Sequence, residues 1–291
     1  MFKVFQSSTM PPHLNETLIT LIPKHLEADC LASFRPISLC NTVYKVVTKI
    51  IVRRLRPFLP KLISPFQTAF VSRRMGLDNM IIAQELIHTM TLKKGKTGFM
   101  AIKIDLEKAY DKLEWDFIRD FLELYRLPPY LIKLIMSCVS SSSILILLNG
   151  GKLKPFQPSR GIRQGDPFSP YLFIMCMEVL GFLISRRYEK NMWDSVWASR
   201  GVQAFSHLFF VDDLVLFAKA DLMNCSSVKE ALDSFCELSG QKVSLNKSKV
   251  YFSLNTSPKT REELCEVLGI HSTPNLSKYL GFSIKHPSLT S

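Results

Sequence analysis

Apolar positions along the first half of the chain fall into two periods, and each predicts a different element. From Asn41, the residues Val43, Val46, Val47, Ile50, Ile51 and Leu55 recur every three to four positions, which predicts a helix with one buried face. Its opposite face carries Lys45, Lys49 and Arg53, with Arg56 nearby. Further helices are predicted over residues 77–92 and from about 107 to 125, and more helix after Pro128 and Pro129. Between the first two, Phe99-Met-Ala-Ile-Lys-Ile104 reads as a strand ending at Asp105. Ser143 to Leu148, followed by Asn149-Gly150-Gly151, reads as a strand entering a hairpin, because Asn-Gly accepts the positive φ of a tight turn. Residues 168–190 are apolar on nearly all sides, so that helix should be central. Residues 207–218 form two short β-forming arms around Asp212-Asp213; a helix near 226–238 and small strands at 248–253 and 279–284 follow. Residues 1–40, punctuated by Pro11, Pro12, Pro23 and Pro36, read as irregular. Strands and helices mixed in an undivided order, with no repeat and no linker, predict an α+β fold of helices packed on an antiparallel sheet.

Composition adds a partner class. The formal charge of +12 points to nucleic acid, an anionic membrane surface or another polyanion as partner. Taken alone, the Lys45, Lys49 and Arg53 stripe is a solvated face; beside a nucleic-acid site it becomes a phosphate track. Seven cysteines, at 30, 40, 138, 176, 225, 236 and 265, never form CxxC, which indicates reduced thiols and no disulfide-linked partner. The six histidines do not cluster with them, so no zinc site is legible. The N-terminus lacks the apolar run of a signal peptide. Phe168 to Ile184 is the best membrane candidate, but it holds Pro170 and Glu178 and is short for a span, so it reads as a buried helix and no membrane partner is expected.

Three segments carry candidate chemistry. Asp212-Asp213 places like charges side by side between greasy arms, where a hairpin would favour glycine; a divalent cation would explain the choice, a solvated acidic turn would not need one. Asp105 ends a strand before a helix, so it is either an N-cap or a carboxylate brought beside that turn to share metal ions. Arg160-Gly-Ile-Arg-Gln-Gly-Asp-Pro-Phe-Ser-Pro-Tyr171 is a rigid loop before the central helix, without the Gly-Lys-Ser/Thr ending of a P-loop.

In order, the chain carries Leu-Ile-Pro-Lys24, Phe-Arg-Pro-Ile-Ser-Leu39, Ile-Asp105-Leu-Glu-Lys-Ala-Tyr110-Asp111, Arg-Gln-Gly-Asp-Pro167, Phe-Val-Asp212-Asp213, Asn246-Lys247-Ser248 and Tyr279-Leu-Gly281. From about Phe2 to Ile284 this succession resembles the reverse transcriptase of LINE-type, non-LTR retrotransposons, in wording closest to the plant branch. The resemblance implies a right-hand polymerase palm with fingers. Residues 1–98 would be mainly fingers and 99–291 mainly palm, with a fingers segment near 143–165 and an end at the primer-grip region. It implies a piece of a longer polyprotein, with the thumb, any zinc knuckle and any RNase H domain absent, and a nuclear location.

The implied reaction is RNA-directed DNA synthesis from deoxynucleoside triphosphates, on an RNA template and a DNA primer, with two Mg²⁺ ions or with Mn²⁺ in their place. Asp105 and Asp212 match the family's principal metal ligands, with Asp213 coordinated less directly. Tyr110 matches the aromatic gate under the incoming sugar, or else is a core tyrosine. Arg163, Gln164 and Gly165 match the loop at the incoming nucleotide and template, and Lys24 and Arg35 match basic residues that hold its triphosphate. Lys247 matches a lysine that protonates the leaving pyrophosphate, or else is a surface lysine. Tyr279, Leu280 and Gly281 match the primer grip. Three positions depart from the pattern: Val211 where alanine is usual, Ser244 where asparagine is usual, and Arg73 where glycine is expected. The same motifs would survive in a catalytically silent nucleic-acid-binding remnant or in a domesticated maturase-like protein.

Overall fold

The computed structural model describes residues 2–197, 204–276 and 278–284. In chain order the elements begin with α1 (Phe2–Ser7), β1 (Glu16–Pro23), β2 (Phe34–Cys40), α2 (Thr42–Leu55), α3 (Leu59–Leu62), α4 (Gly76–Leu92) and β3 (Phe99–Ile104). They continue with α5 (Ala109–Lys112), α6 (Trp115–Leu124), α7 (Pro129–Ser140), β4 (Ser143–Leu148), β5 (Gly151–Lys152), α8 (Ser169–Glu189), β6 (Val196–Trp197) and β7 (Ala204–Phe205). The last are β8 (His207–Phe210), β9 (Asp213–Lys219), α9 (Leu222–Ser239), β10 (Lys249–Phe252), α10 (Pro258–Leu268), β11 (Lys278–Tyr279) and β12 (Phe282–Ser283). The chain divides into two compact units, one of Met1–Pro57 with Lys108–Cys176, the other of Phe58–Glu107 with Met177–Ser291.

In the first unit, a four-stranded sheet runs in the order β2-β1-β4-β5, with β1 antiparallel to β2 and parallel to β4. Residues 16–23 and 34–40 are therefore strands, not irregular chain. The prolines misled because Pro36 lies in β2, the edge strand, where a missing N–H removes no ladder bond, and Pro23 closes β1. The Asn149-Gly150 hairpin forms as the residues require, with φ of 49° and 79°. Helix α2 is capped by the Asn41 side chain, which accepts from the Val43 N–H. Its buried stripe is Tyr44, Val47, Thr48, Ile51 and Leu55, while Val46, counted as apolar face from its spacing, is exposed. Thr48 can be buried because its hydroxyl donates to the Lys45 carbonyl.

The helix predicted from about 107 to 125 is two pieces. Lys108 takes φ +48°, Glu114 is extended, and the 160–162 loop uses the backbone there. The Ile162 N–H donates to the Tyr110 carbonyl, the Gly161 N–H to the Leu113 carbonyl, and Trp115 Nε1 to the Gly161 carbonyl at 2.8 Å. Carbonyls recruited by a neighbouring loop cannot carry the helix forward.

The second unit is built on an antiparallel sheet in the order β10-β3-β9-β8. Helix α4, observed close to its predicted span, packs Ala83, Leu86, Ile87 and Met90 into a core with Ala101, Val215, Phe217 and Tyr251 of the sheet. Helix α9 is capped by the Asp221 side chain and stopped by Gly240 at φ +75°. Helix α10, capped by Ser257, was not legible in the sequence, because only Leu264 and Leu268 of its length are buried. The strand expected at 279–284 is instead the hairpin β11–β12, turning at Leu280 and Gly281 with φ of 51° and 82°. Helix α8 is the one helix among the described residues long and apolar enough to cross a membrane. It is largely buried, from Leu172 to Met177 and again at Leu180 and Ile184.

Candidate active site

The β3–β9 ladder ends at Ile104↔Leu214, so the next residues on the two strands are Asp105 and Asp213. Side chains alternate across a strand, which puts both on the face of Lys103 and Val215. Asp105 is clipped from both sides: its N–H donates to Ser248 Oγ at 3.1 Å, and its carbonyl accepts from the Ser244 N–H at 2.8 Å. The turn at 244–248 is thus tied through the Ser244 backbone and the Ser248 hydroxyl, and serine at 244 does its part without an asparagine amide. Lys247 Nζ stands 4.0 Å from the Asp105 carboxylate on a largely exposed side chain, and Lys103 Nζ stands 3.6 Å from Asp213. Lys103 also donates to the Lys278 carbonyl at 2.6 Å. Sequence reasoning gave no role to Lys103, which precedes the Asp105 motif, or to Ser248, which closes the Asn246-Lys247-Ser248 motif.

The two-residue hairpin tip is Val211-Asp212, not Asp212-Asp213. Phe210 pairs with Asp213, which makes Asp213 the first residue of β9 and leaves Asp212 exposed at the turn. Val211 takes φ +57°. A β-branched residue there is strained by roughly 1–3 kcal/mol, and such strain persists only where the surroundings impose it. Arg73, where glycine was expected, takes φ +67°, so the backbone keeps the conformation that glycine would adopt freely.

The first unit holds the predicted nucleotide-loop, triphosphate and basic-stripe residues. Lys24 and Arg35 lie exposed at one end of the β1–β2 pair, where Arg35 faces Ile22 and the Lys24 N–H donates to the Ser33 carbonyl. Lys24 Nζ reaches the Ala32 carbonyl at 2.7 Å. The 160–169 loop docks on β2 through the Ser38 N–H, which donates to the Gln164 carbonyl at 2.7 Å. Gly165 is required there: at φ +99°, a Cβ would stand 2.9 Å from the Ser38 carbonyl. Tyr110 is half-buried and stacks on Phe173, centroids 4.9 Å apart and rings 8° from parallel. Lys49 and Arg53 are exposed on α2, with Lys45 half-buried.

Two of the predicted contact residues are buried. Arg163 spends its guanidinium on the protein itself. Its guanidinium donates to Asn15 Oδ1 and Thr17 Oγ1 at 2.8 Å and to the Cys138 carbonyl at 2.9 Å, lies 4.1 Å over the Tyr44 ring, and pairs with Asp166 at 3.9 Å. Tyr44 in turn donates to Asp166 at 2.7 Å. Arg163 therefore fixes the loop on β1 and α7 from beneath. Replacing it with alanine removes the buried cation paired with Asp166 and the donor to Asn15 Oδ1 and Thr17 Oγ1, so Arg163→Ala should lower unfolding free energy by about 3–5 kcal/mol in a urea titration. Tyr279 is likewise fully buried in the α4 core, and burial raises its hydroxyl pKa. Its ring seats the β11–β12 turn, and only Leu280 and Gly281 lie nearer the surface.

A carboxylate pair at adjoining strand ends, with a third acid on the connecting turn, thus sits on a four-stranded antiparallel sheet of polymerase-palm architecture. The chain belongs to the reverse transcriptase (RNA-dependent DNA polymerase) family, whose model matches residues 22–284, and to its LINE-type, non-LTR members. It is 25% identical over 246 residues to the transposon TX1 uncharacterized 149 kDa protein of Xenopus laevis, covering 84% of this chain and 18% of that protein. It is 26% identical over 284 residues to the retrovirus-related Pol polyprotein of the type-2 retrotransposable element R2DM of Drosophila melanogaster, covering 94% and 25%. The chain thus spans about a quarter or less of the length of these relatives. The fold matches apo telomerase from Candida tropicalis, truncated from its C-terminal domain, with TM-score 0.56 and 15% identity over 86% of this chain and 52% of that one. Reverse transcriptases use divalent metal ions.

Proposed function

We propose that this chain carries out RNA-directed DNA synthesis, joining deoxynucleoside triphosphates to a DNA primer on an RNA template. The observation that carries this reading is the placement of Asp105 and Asp213 at the paired ends of β3 and β9, with Asp212 on the turn between β8 and β9. The donor set fits magnesium. Its ligands are carboxylate oxygens, which suit a hard cation that takes one or two carboxylates and completes its shell with water and substrate phosphates. Asp105 and Asp212 would hold it, with Asp213 less directly involved. When bound, two such ions would activate the primer hydroxyl and neutralise charge on the transferring phosphoryl group.

Other roles rest on this chain's own side chains. Lys24 and Arg35 offer a point charge and a planar fork to a triphosphate. Gln164 and Gly165 present the docked loop to nucleotide and template, and Lys247, near Asp105, is placed to give a proton to the leaving pyrophosphate. Lys45, Lys49 and Arg53 would follow a phosphate backbone, and Leu280 and Gly281 would support the primer end. In this reading residues 1–98 are mainly fingers and 99–291 mainly palm, with a fingers segment near 143–165.

Stacking on Phe173 gives the Tyr110 ring one orientation, which is what a sugar gate needs. Tyr110→Val should therefore raise ribonucleotide over deoxynucleotide incorporation by about 10- to 100-fold. An unchanged ratio returns Tyr110 to the core. The test of the whole reading is primer extension by this chain on an RNA template, with and without Mg²⁺. Metal-dependent extension supports it; salt-sensitive binding without any extension assigns a silent nucleic-acid-binding remnant.

A further inference from the structure

The strained turn at Val211 and Asp212 is braced by residues that no role above includes. Gln67 is fully buried, and its Oε1 accepts from the Val211 N–H at 3.3 Å and from the Ala69 N–H at 3.0 Å. Two backbone donors facing one side-chain atom settle the amide orientation, because the amide nitrogen could accept from neither. One residue before Phe210, the backbone of Phe209 is held as firmly. Its carbonyl accepts from Asn79 Nδ2 at 2.8 Å and from the Thr68 N–H at 3.2 Å, and its N–H donates to the Phe66 carbonyl at 2.8 Å.

Residues 66–68 thus run parallel to β8 as a short extra strand at its edge, bridged at Gln67↔Phe209. That segment is anchored in turn by Arg74, whose guanidinium donates to the carbonyls of Ser64, Ile63 and Gln67, the last at 2.7 Å. Gly76 completes the bracket: a Cβ there would stand 2.8 Å from the Phe210 ring, so the start of α4 lies flat against the last residue of β8.

We propose that Gln67 is a positioning residue for the Asp212 turn. Its side-chain oxygen holds the Val211 amide so that a valine keeps a left-handed backbone and Asp212 is presented in one place. Each part of the bracket supplies a different restraint. Asn79 and the backbone of the 66–68 segment fix the arm that enters the turn, and the Gln67 side chain reaches past that arm to the first turn residue. A glycine at position 211 would adopt the same backbone freely and would need no such hold. The dependence of the turn on Gln67 is therefore a consequence of valine at 211, and that dependence can be removed.

This inference rests on the polymerase reading for its catalytic consequence but not for its structural one, and the experiment separates them. Hydrogen exchange at the amide of position 211 and single-nucleotide extension are measured for wild type, Gln67→Ala, Val211→Gly and the double variant. Gln67→Ala should speed exchange at that amide about five- to tenfold, the loss of one net hydrogen bond. It should lower kcat by about 10- to 100-fold, as a shift of about 1 Å in a reacting group does, with the KM for the nucleotide unchanged. In the Val211→Gly background the same substitution should change kcat by less than about threefold, because the glycine holds the turn by itself. Gln67→Glu, which keeps the acceptor, should restore slow exchange if the alanine variant folds poorly. Unchanged exchange in Gln67→Ala, or an equal loss of kcat in both backgrounds, overturns the proposal. Absence of extension by wild type would refute the polymerase reading, while the exchange data would still decide the role of Gln67.

Discussion

Asp105→Asn and Asp212→Asn should each reduce primer extension by about a hundred- to a thousandfold, the range seen when one preorganised electrostatic partner of a transition state is removed. Asparagine keeps the size of the side chain but loses the charge that would hold a cation. Binding provides the control. The acids oppose the polyanion, so neutralising one should leave nucleic-acid affinity equal or higher. Its salt dependence should also persist, with a log–log slope of about −5 if six phosphates of duplex DNA are neutralised. Asp213→Asn should cost less than either, because Lys103 at 3.6 Å already takes part of the charge of Asp213. A variant at Asp105 or Asp212 with wild-type extension would remove that residue from the site.

The second large effect concerns pH and two groups buried in the second unit. His207 is fully buried between the rings of Phe66 and Phe209, at centroid distances of 4.5 and 4.4 Å, with Ser206 Oγ 2.9 Å from Nδ1. Burial penalises the imidazolium and lowers its pKa from 6.5 to about 3. In the unfolded chain His207 takes a proton below its ordinary pKa, while the folded protein refuses it until about pH 3. Stability from His207 is therefore whole above pH 6.5 and is lost as pH falls toward 3, at about 1.4 kcal/mol per unit.

Glu178 acts in the opposite direction. Burial raises its pKa from 4.5 to about 7, against the opposing pull of the Ser64 N–H at 2.8 Å and of Arg74. Its contribution is whole below pH 4.5 and is lost as pH rises through 7. Between pH 4.5 and 6.5 the two slopes oppose each other, so wild-type stability should be nearly flat there. His207→Phe should expose the Glu178 slope, making the protein about 2–3 kcal/mol more stable near pH 4.5 than near pH 6.5. Glu178→Gln should expose the mirror-image slope, with acid sensitivity of similar size. Urea titrations across that window check both, and a flat profile in either variant would show that the group titrates normally.

Neither buried group was legible in the sequence. His207 appeared only as the first residue of a β-forming arm, and Glu178 only as the charge that argued against a membrane span. Their chemistry comes from what surrounds them. The same limit applied to Arg163, which stands in the middle of a nucleotide-loop motif and reads there as a substrate contact. Only the folded chain shows Asn15, Thr17, the Cys138 carbonyl and Tyr44 converging on its guanidinium. Tyr279 is a similar case, a motif residue whose ring is spent on the core.

Local chemistry was sufficient for much else. The periods of 3.6 and 2 located α4, α8, α9, β3 and the two arms of the Asp212 hairpin, because those patterns follow from helix and strand geometry and need no partner. Asn149-Gly150 announced its hairpin because few other pairs accept two positive φ values. The ordered motifs pointed to the family that comparison with known proteins shows. What the tertiary structure decided was everything that depends on a distant segment. Pairing across the β3–β9 ladder brought Asp105 level with Asp213, a register no local pattern specifies. The 160–162 loop broke a periodic helix by taking its carbonyls. The turn slipped by one residue onto Val211, where tight turns favour glycine, because Gln67, Asn79 and Gly76 meet it from 130 or more residues away in the chain. A strained conformation is legible only when the contacts that impose it are, and those contacts exist only in the folded chain.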